Sequence, residues 1–76
     1  MDYNPIAHGQ FVSGLRPIKS KSHRKRWVDD DENIYEWDSR HCELERHDSH
    51  GKHSGVVDPE SGERIRPSIP GRWIEV

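Results

Sequence analysis

The sequence predicts a mainly β (α+β) fold: a small, highly twisted antiparallel sheet that follows a loosely ordered N-terminal arm or short helix. Two observations predict it. Short runs of β-branched and aromatic residues alternate with Gly, Pro, Asp and Ser from residue 26 onward, as strands and turns do. The same region lacks an apolar stripe with helical spacing. At 76 residues, the chain has room for one domain.

The composition sets limits on stability and class. Only 29% of the residues are hydrophobic, 34% are charged, and the mean hydropathy is −1.16, values that lean toward disorder. Three Trp and two Tyr favour a folded core, because each aromatic ring buries a large area. Cys42 is the single cysteine, which excludes an internal disulfide. No apolar run approaches a membrane span or a signal peptide.

Residues 1–25 are predicted to form a basic, partly flexible arm. Proline and glycine recur through this stretch with little hydrophobic periodicity, which is typical of loosely ordered chain. One short helix is expected between His8 and Leu15. Residues 26–76 are then expected to form the sheet domain.

The strands of the sheet domain follow from the same pattern. In chain order, the predicted strands are residues 27–28, 34–37, 56–57, 63–65 and 72–76. The acidic run 29–32 is expected to be a solvated turn. Residues 58–62, Asp-Pro-Glu-Ser-Gly, carry strong turn chemistry, and Pro67 and Pro70 interrupt the chain before the last strand.

The segment 33–45 is the part of the sequence richest in chemistry. It places Asp38, His41, Glu43 and Glu45 within eight residues. A histidine among carboxylates is equipped for acid–base catalysis, since one group can accept a proton and another can donate one.

A hairpin with Ser39 and Arg40 as its loop would place Asp38 directly opposite His41 on one exposed face. Glu43 and Glu45 would share that face. The opposite, apolar face would hold Tyr35, Trp37, Cys42 and Leu44. Ser-Arg is a poor pair for a two-residue turn, so a longer loop is the alternative. A helix would also align residues 38, 41 and 45, but it has too few apolar residues to dock.

Charge is divided unevenly along the chain. Residues 1–27 carry six basic residues against Asp2, a net +5, whereas residues 28–76 carry six basic and thirteen acidic residues, a net −7. A basic front on an acidic body suggests two different partners, one of them a polyanion.

Residues 34–45, Ile-Tyr-Glu-Trp-Asp-Ser-x-His-x-Glu-Leu-Glu, resemble the cytotoxic ribonuclease domain of the ribosome-inactivating colicins and cloacin. Three further features occur in the order of that family: the basic run 24–26 before Trp27, the Asp-Pro-x-x-Gly turn 58–62, and Arg72-x-Ile at the end. The chain departs from the family pattern at Cys42, where the family has Gly, and at the acidic run 29–32.

The resemblance implies an endonuclease that cleaves small-subunit ribosomal RNA at the decoding site. It also implies a small acidic immunity protein as partner, delivery domains upstream in a parent protein, and release from a producer cell to act in the cytoplasm of the target bacterium. By motif position, the catalytic residues would be Asp38, His41, Glu45 and Arg72.

Chemistry assigns a role to each of these residues. Glu45 would be the base for the ribose 2′-OH, His41 the acid for the leaving oxygen, and Arg72 the charge beside the phosphoryl group. Asp38 would orient the imidazole. The products would be a 2′,3′-cyclic phosphate and a 5′-hydroxyl, and no metal or cofactor is required. Glu43 is nearer to His41 along the strand, so strand geometry alone leaves it a rival for Glu45.

The RNA would be bound by cationic side chains and one histidine, namely Lys21, Arg24, Lys25, Arg26 and His53. Two alternative functions remain. One is a metal-dependent nuclease that uses the histidine-rich stretch with His47, His50 and His53. The other is a non-catalytic module that binds RNA or protein.

Overall fold

The computed structural model describes residues 9–76, which form one open antiparallel sheet preceded by a short helix. The elements are α1 Gln10–Ser13, β1 Arg16–Ile18, β2 Arg26–Val28, β3 Ile34–Asp38, β4 Glu43–His47, β5 His53–Val57 and β6 Arg64–Arg66. The strands lie side by side in chain order, and each pair is antiparallel. The predicted mainly β fold is therefore confirmed. The first part of the predicted arm, residues 1–8, lies outside the described residues.

The sheet begins at Arg16 rather than at Arg26. Residues 16–18 pair with β2, so this part of the predicted arm belongs to the sheet. All three residues are exposed, which is why they show no alternation of apolar and polar side chains. Pro17 is compatible with this position because β1 is an edge strand.

The last predicted strand, residues 72–76, is not a strand. It contributes a single bridge, Lys52 to Trp73. The chain leaves the sheet after β6 and returns beside β5, where the Ile74 N–H donates to the Gly51 carbonyl at 2.8 Å. It ends against β2, where Arg26 Nη1 donates to the Glu75 carbonyl at 2.8 Å. A segment that crosses strands in this way cannot pair along its length with any one of them.

The hydrophobic core lies on one face of the sheet. Its buried members are Val12, Tyr35, Trp37, Leu44 and Val57, with Phe11, Leu15, Trp27 and Cys42 packed against them. The predicted apolar set of the central strands is thus confirmed. Period-two alternation explains it, since consecutive side chains of a strand point to opposite faces.

The helix covers this core and is fixed to the β5–β6 turn. The Phe11 and Val12 amides each donate to that turn, to the Glu60 and Pro59 carbonyls at 3.0 Å. Gly62 has φ +77°, and a Cβ there would lie 2.5 Å from the Phe11 ring, so the turn requires glycine. The helix is shorter than the predicted 8–15. No helix within residues 9–76 is long and apolar enough to span a bilayer.

His47 is a structural residue at the end of β4. Its side chain is fully buried, and its Nδ1–H donates to the Ile34 carbonyl at 3.2 Å. Its Nε2 is buried without a hydrogen-bond partner among the described residues. Burial lowers the pKa of His47 below its ordinary value of 6.5, against the opposing effects of the Ile34 hydrogen bond and Glu36.

We predict that His47 makes the fold acid-sensitive. The unfolded chain binds a proton at His47 near pH 6.5, whereas the folded chain resists it, so this stability is present above that pH and is lost as the pH falls below it. The His47→Gln variant should lose less free energy of unfolding between pH 7 and pH 5, by up to about 1.4 kcal/mol per pH unit. Denaturant titration at each pH measures this.

The control for this prediction is the exposed His50. His50→Gln should keep the pH dependence of the original chain. An unchanged slope in His47→Gln would show that other groups cause the acid response.

Candidate active site

The face of the sheet opposite the core carries a polar cleft. Strands β3 and β4 form its floor, and the segment after β6 forms one side. The cleft has a volume of about 400 Å³ and is lined by Arg24, Asp38, Arg40, His41, Glu45, Val56, Arg66, Ile69 and Arg72. All four predicted catalytic residues therefore line the same cavity.

Asp38 and His41 meet through a turn, not across a two-residue hairpin. Asp38 pairs with Glu43 in the β3–β4 ladder, so residues 39–42 form the loop and the longer-loop alternative is the correct one. Cys42 takes φ +54°, a left-handed conformation that glycine adopts without strain. Glycine, which the family pattern described by the resemblance has at this position, would adopt this conformation without a side chain to strain it.

The turn presents His41 to the cleft. Its Nδ1 lies 2.8 Å from Asp38 Oδ2, while Asp38 Oδ1 accepts the Arg40 and His41 amides at 3.1 and 3.3 Å. Burial alone would raise the pKa of Asp38, but the His41 hydrogen bonds outweigh it and lower the pKa below 3.8. Asp38 therefore stays ionised and holds the ring by Nδ1. The His41 side chain is 63% exposed, so Nε2 remains available to a substrate.

Glu45 is buried, in contrast to the predicted exposed face, with 5% of its surface accessible. Its Oε1 lies 2.7 Å from His53 Nε2 and 3.7 Å from Arg72 Nη2. The cause of the burial is the chain after β6, which brings Ile69 and Arg72 over this end of β4. A carboxylate enclosed in this way is held in one position relative to the cleft.

The tautomer of His53 follows from its two partners. The Ile69 N–H donates to His53 Nδ1 at 3.0 Å, so Nδ1 must be the unprotonated acceptor. Nε2 therefore carries the proton and donates it to Glu45. His53 is 2% exposed, which corrects the expectation that it contacts RNA: it supports Glu45 from beneath the cleft.

Glu43, the geometric rival of Glu45, is already paired with an arginine. Its carboxylate forms an ion pair with Arg66, and it is not among the cleft-lining residues. The arrangement favours Glu45 as the group that faces a substrate.

The predicted RNA-binding residues separate into two groups. Arg24 lines the cleft, and Lys21 and Lys25 are exposed. Arg26 is not on the surface: it is 4% exposed and donates from Nε and Nη2 to Glu36 Oε2 at 3.0 and 2.5 Å. This corrects its assignment to RNA binding, because both its charge and its donors are already used inside the protein.

Two arginines of the cleft, Arg40 and Arg66, were not identified by sequence reasoning. Arg40 occupies the variable position of the central motif, and Arg66 lies on an edge strand without apolar alternation. The sequence indicates a role in the cleft for these two arginines only through their position, since each lies next to a predicted turn or strand of the site. With them the cleft has four arginines against Asp38 and Glu45. One of the four, Arg66, is paired with Glu43, so the lining keeps a smaller excess of positive charge although the surrounding chain is acidic.

The histidine-rich stretch does not assemble a metal site. His47 and His53 are buried, with rings edge to face at 5.3 Å, while His50 lies exposed in the following turn. Within residues 9–76, no three His, Cys, Asp or Glu side chains converge as metal ligands. The geometry gives no support to the metal-dependent alternative.

Comparison with known proteins identifies the family of the chain. A family model described as Cytotoxic matches residues 15–75. Three Escherichia coli proteins are similar over 86 aligned positions and 97% of this chain: colicin E3 at 36% identity, cloacin at 35% and colicin-E6 at 34%. The chain spans only 15–16% of the length of these relatives. It belongs to the cytotoxic domain family that colicin E3, cloacin and colicin-E6 share.

Proposed function

We propose that this chain is the killing domain of a bacteriocin-type toxin, a metal-independent endoribonuclease that cleaves small-subunit ribosomal RNA at the decoding site and blocks translation. The observation that carries the proposal is the shared cleft of Asp38, His41, Glu45 and Arg72, in a chain that belongs to the cytotoxic domain family. The cationic lining suits a phosphodiester substrate.

The first step is removal of the 2′-OH proton by Glu45. His53 holds one carboxylate oxygen at 2.7 Å, and the other oxygen is left to accept the proton. Burial helps, because water competes less for the carboxylate and its orientation is fixed in advance. The 2′-oxygen then attacks the adjacent phosphorus.

The second step is protonation of the leaving 5′-oxygen by His41. Asp38 holds Nδ1 at 2.8 Å, which directs Nε2 into the cleft. Arg72 is loosely paired with Glu45 at 3.7 Å and its side chain is 38% exposed, so it can reach the phosphoryl oxygens as their charge increases. The products are a 2′,3′-cyclic phosphate and a 5′-hydroxyl. The nucleophile belongs to the RNA, so the reaction needs no metal.

The relatives also bear on the parent protein. Because the chain matches about a sixth of each relative, we infer delivery domains upstream of it. The proposed toxin function adds release from a producer cell and action in the cytoplasm of the target bacterium. A small acidic immunity protein fits the cationic cleft by charge and would protect the producer by covering it.

The defining experiment incubates the protein with intact ribosomes and maps the cut end on the RNA. His41→Ala and Glu45→Gln should each lower the cleavage rate by about 10²–10⁴-fold, as loss of an acid or base does. Glu45→Gln retains the acceptor for His53, so the fold should persist. Glu43→Gln is the matched control and should stay within a few-fold of the original rate. A severe loss in Glu43→Gln with an active Glu45→Gln would reverse the assignment of the base.

Chelation tests the independence from metal. The enzyme is dialysed against EDTA, and the chelator is removed before the assay so that the ribosomes keep their magnesium. Cleavage of ribosomes should then continue at its original rate. If the dialysed enzyme lost its activity and zinc restored it, the reaction would depend on a metal, and the histidine-rich stretch would be the candidate site.

Salt dependence tests RNA recognition. The double variant Arg24→Gln/Lys25→Gln should weaken cleavage and flatten the dependence of kcat/KM on salt, by about 0.7 in the log–log slope for each phosphate that is no longer neutralised. Lys52→Gln, a charge change at an exposed residue that does not line the cleft, is the control. Arg26 is excluded from this set because its removal would leave Glu36 buried without its partner. Equal slopes in all three proteins would show that these two residues do not bind phosphates.

A further inference from the structure

A second cavity adjoins the cleft on its β2 side. It is a groove of about 410 Å³ between β1, β2 and the segment that joins them, a volume within the range of small-molecule sites. Arg24 lines both the groove and the catalytic cleft. The two cavities are therefore neighbours, separated by one cationic side chain.

The lining of the groove combines two kinds of surface. Pro17, Ile18 and Trp27 supply apolar area, and His23, Arg24 and Lys25 supply donors and positive charge. Ile18 is 37% exposed. It lies in one cross-strand row with Arg26, Glu36 and Glu45, so its side chain shares the face of the cleft. Trp27 pairs with Tyr35 and packs on the core face. Exposed apolar area beside cationic side chains matches a nucleotide, which offers the apolar face of a base and an anionic phosphate.

The strand order indicates which nucleotide this is. Across the sheet the order is β2, β3, β4, β5. Asp38 ends β3 and holds His41, whereas Glu45 on β4 contacts His53 of β5 and Arg72. The proton donor is thus on the groove side and the base is on the far side. Since the acid serves the leaving 5′-oxygen and the base serves the 2′-OH, the RNA runs 5′ to 3′ from Glu45 toward the groove.

We propose that the groove is a subsite for the nucleotide on the 3′ side of the cleaved bond. Its base lies against Ile18, on the same face of the sheet as Glu45, and Arg24 binds the phosphate that follows. The proposal rests on the ribonuclease function proposed above and extends it. It gives the enzyme a means to hold the leaving strand, so that the 5′-oxygen stays within reach of His41.

The test uses a decoding-site hairpin RNA at low ionic strength, with the nucleotide 3′ to the mapped cut either intact or abasic. For the original protein, loss of the base should lower kcat/KM by about fivefold, the lower end of the range for one stacked base, because the contact is with Ile18 rather than with an aromatic ring. Ile18→Glu should lower kcat/KM for the intact hairpin by a similar factor and should cleave both hairpins equally. His23→Glu, at another exposed position, should act in the same direction.

The matched control is Ile65→Glu. Ile65 is 44% exposed on the edge strand β6 and lines neither cavity, so this variant should keep the full preference for the intact base. Thermal unfolding of each variant verifies the fold. A preference for the intact base that persists in both Ile18→Glu and His23→Glu would overturn the subsite, as would its absence in the original protein.

A binding measurement separates this proposal from the ribonuclease function. A 2′-deoxy nucleotide at the cut bond prevents cleavage, and the affinities of the intact and abasic hairpins can then be compared. Binding that prefers the intact base, with no cleavage of hairpin or ribosome, would reject the ribonuclease and keep a nucleotide site. Cleavage with no such preference would reject the subsite alone. Displacement of the hairpin by an acidic peptide, again with no preference for the base, would assign the groove to a protein partner and overturn the proposal.

Discussion

The buried ion pair between Arg26 and Glu36 is the interaction on which the arrangement of the cleft depends. Two charges in a protein interior are tolerated only when their hydrogen bonds are satisfied. Here Arg26 donates twice to Glu36 and once to the Glu75 carbonyl, and Ser22 donates to the same carboxylate oxygen at 3.1 Å. The pair therefore joins β2 and β3 to the end of the chain. This attachment acts together with the hydrogen bonds of Ile69 to His53 and of Ile74 to Gly51 to hold the segment after β6 across the polar face.

The crossing segment turns a sheet surface into a site. It brings Arg72 beside Glu45 and places the Ile69 amide on His53. That amide fixes the tautomer of His53, and the tautomer determines that Glu45 is an acceptor at Oε1. The hydrogen bond that orients the proposed base is thus determined by a backbone group more than twenty residues further along the chain. A dense set of acidic and basic side chains on an exposed strand would lack this control over orientation.

The sequence predicted the strands well where local pattern decides the outcome. Tyr35, Trp37 and Leu44 alternate with polar residues, so their burial on one face follows from the strand period. Prediction from the sequence failed where contacts between distant parts of the chain decide the structure. An exposed edge strand such as β1 has no alternation to read, and nothing near Arg26 shows that its guanidinium will meet Glu36 and Glu75. The resemblance to the family indicated Glu45 over Glu43, and the ion pair of Glu43 with Arg66 supports that proposal.

Net charge along the chain is a poor guide to charge in the cleft, and the turns explain why. The acidic run follows β2, at the end of the sheet away from the turn 39–42, and its first residue, Asp29, is used to close its own loop by accepting from Asn33 and Tyr35. Arg40, Arg66 and Arg72 come from the acidic half of the sequence yet converge with Arg24 at one cavity. Electrostatic attraction acts over about a Debye length, roughly 8–10 Å, so the local arginines outweigh the distant carboxylates for a bound phosphate. For the proposed RNA substrate, the acidic remainder would cause repulsion elsewhere on the surface and so would favour binding at the cleft over non-specific adsorption. Selectivity for the cleft and the modest overall charge would then be two consequences of the same distribution.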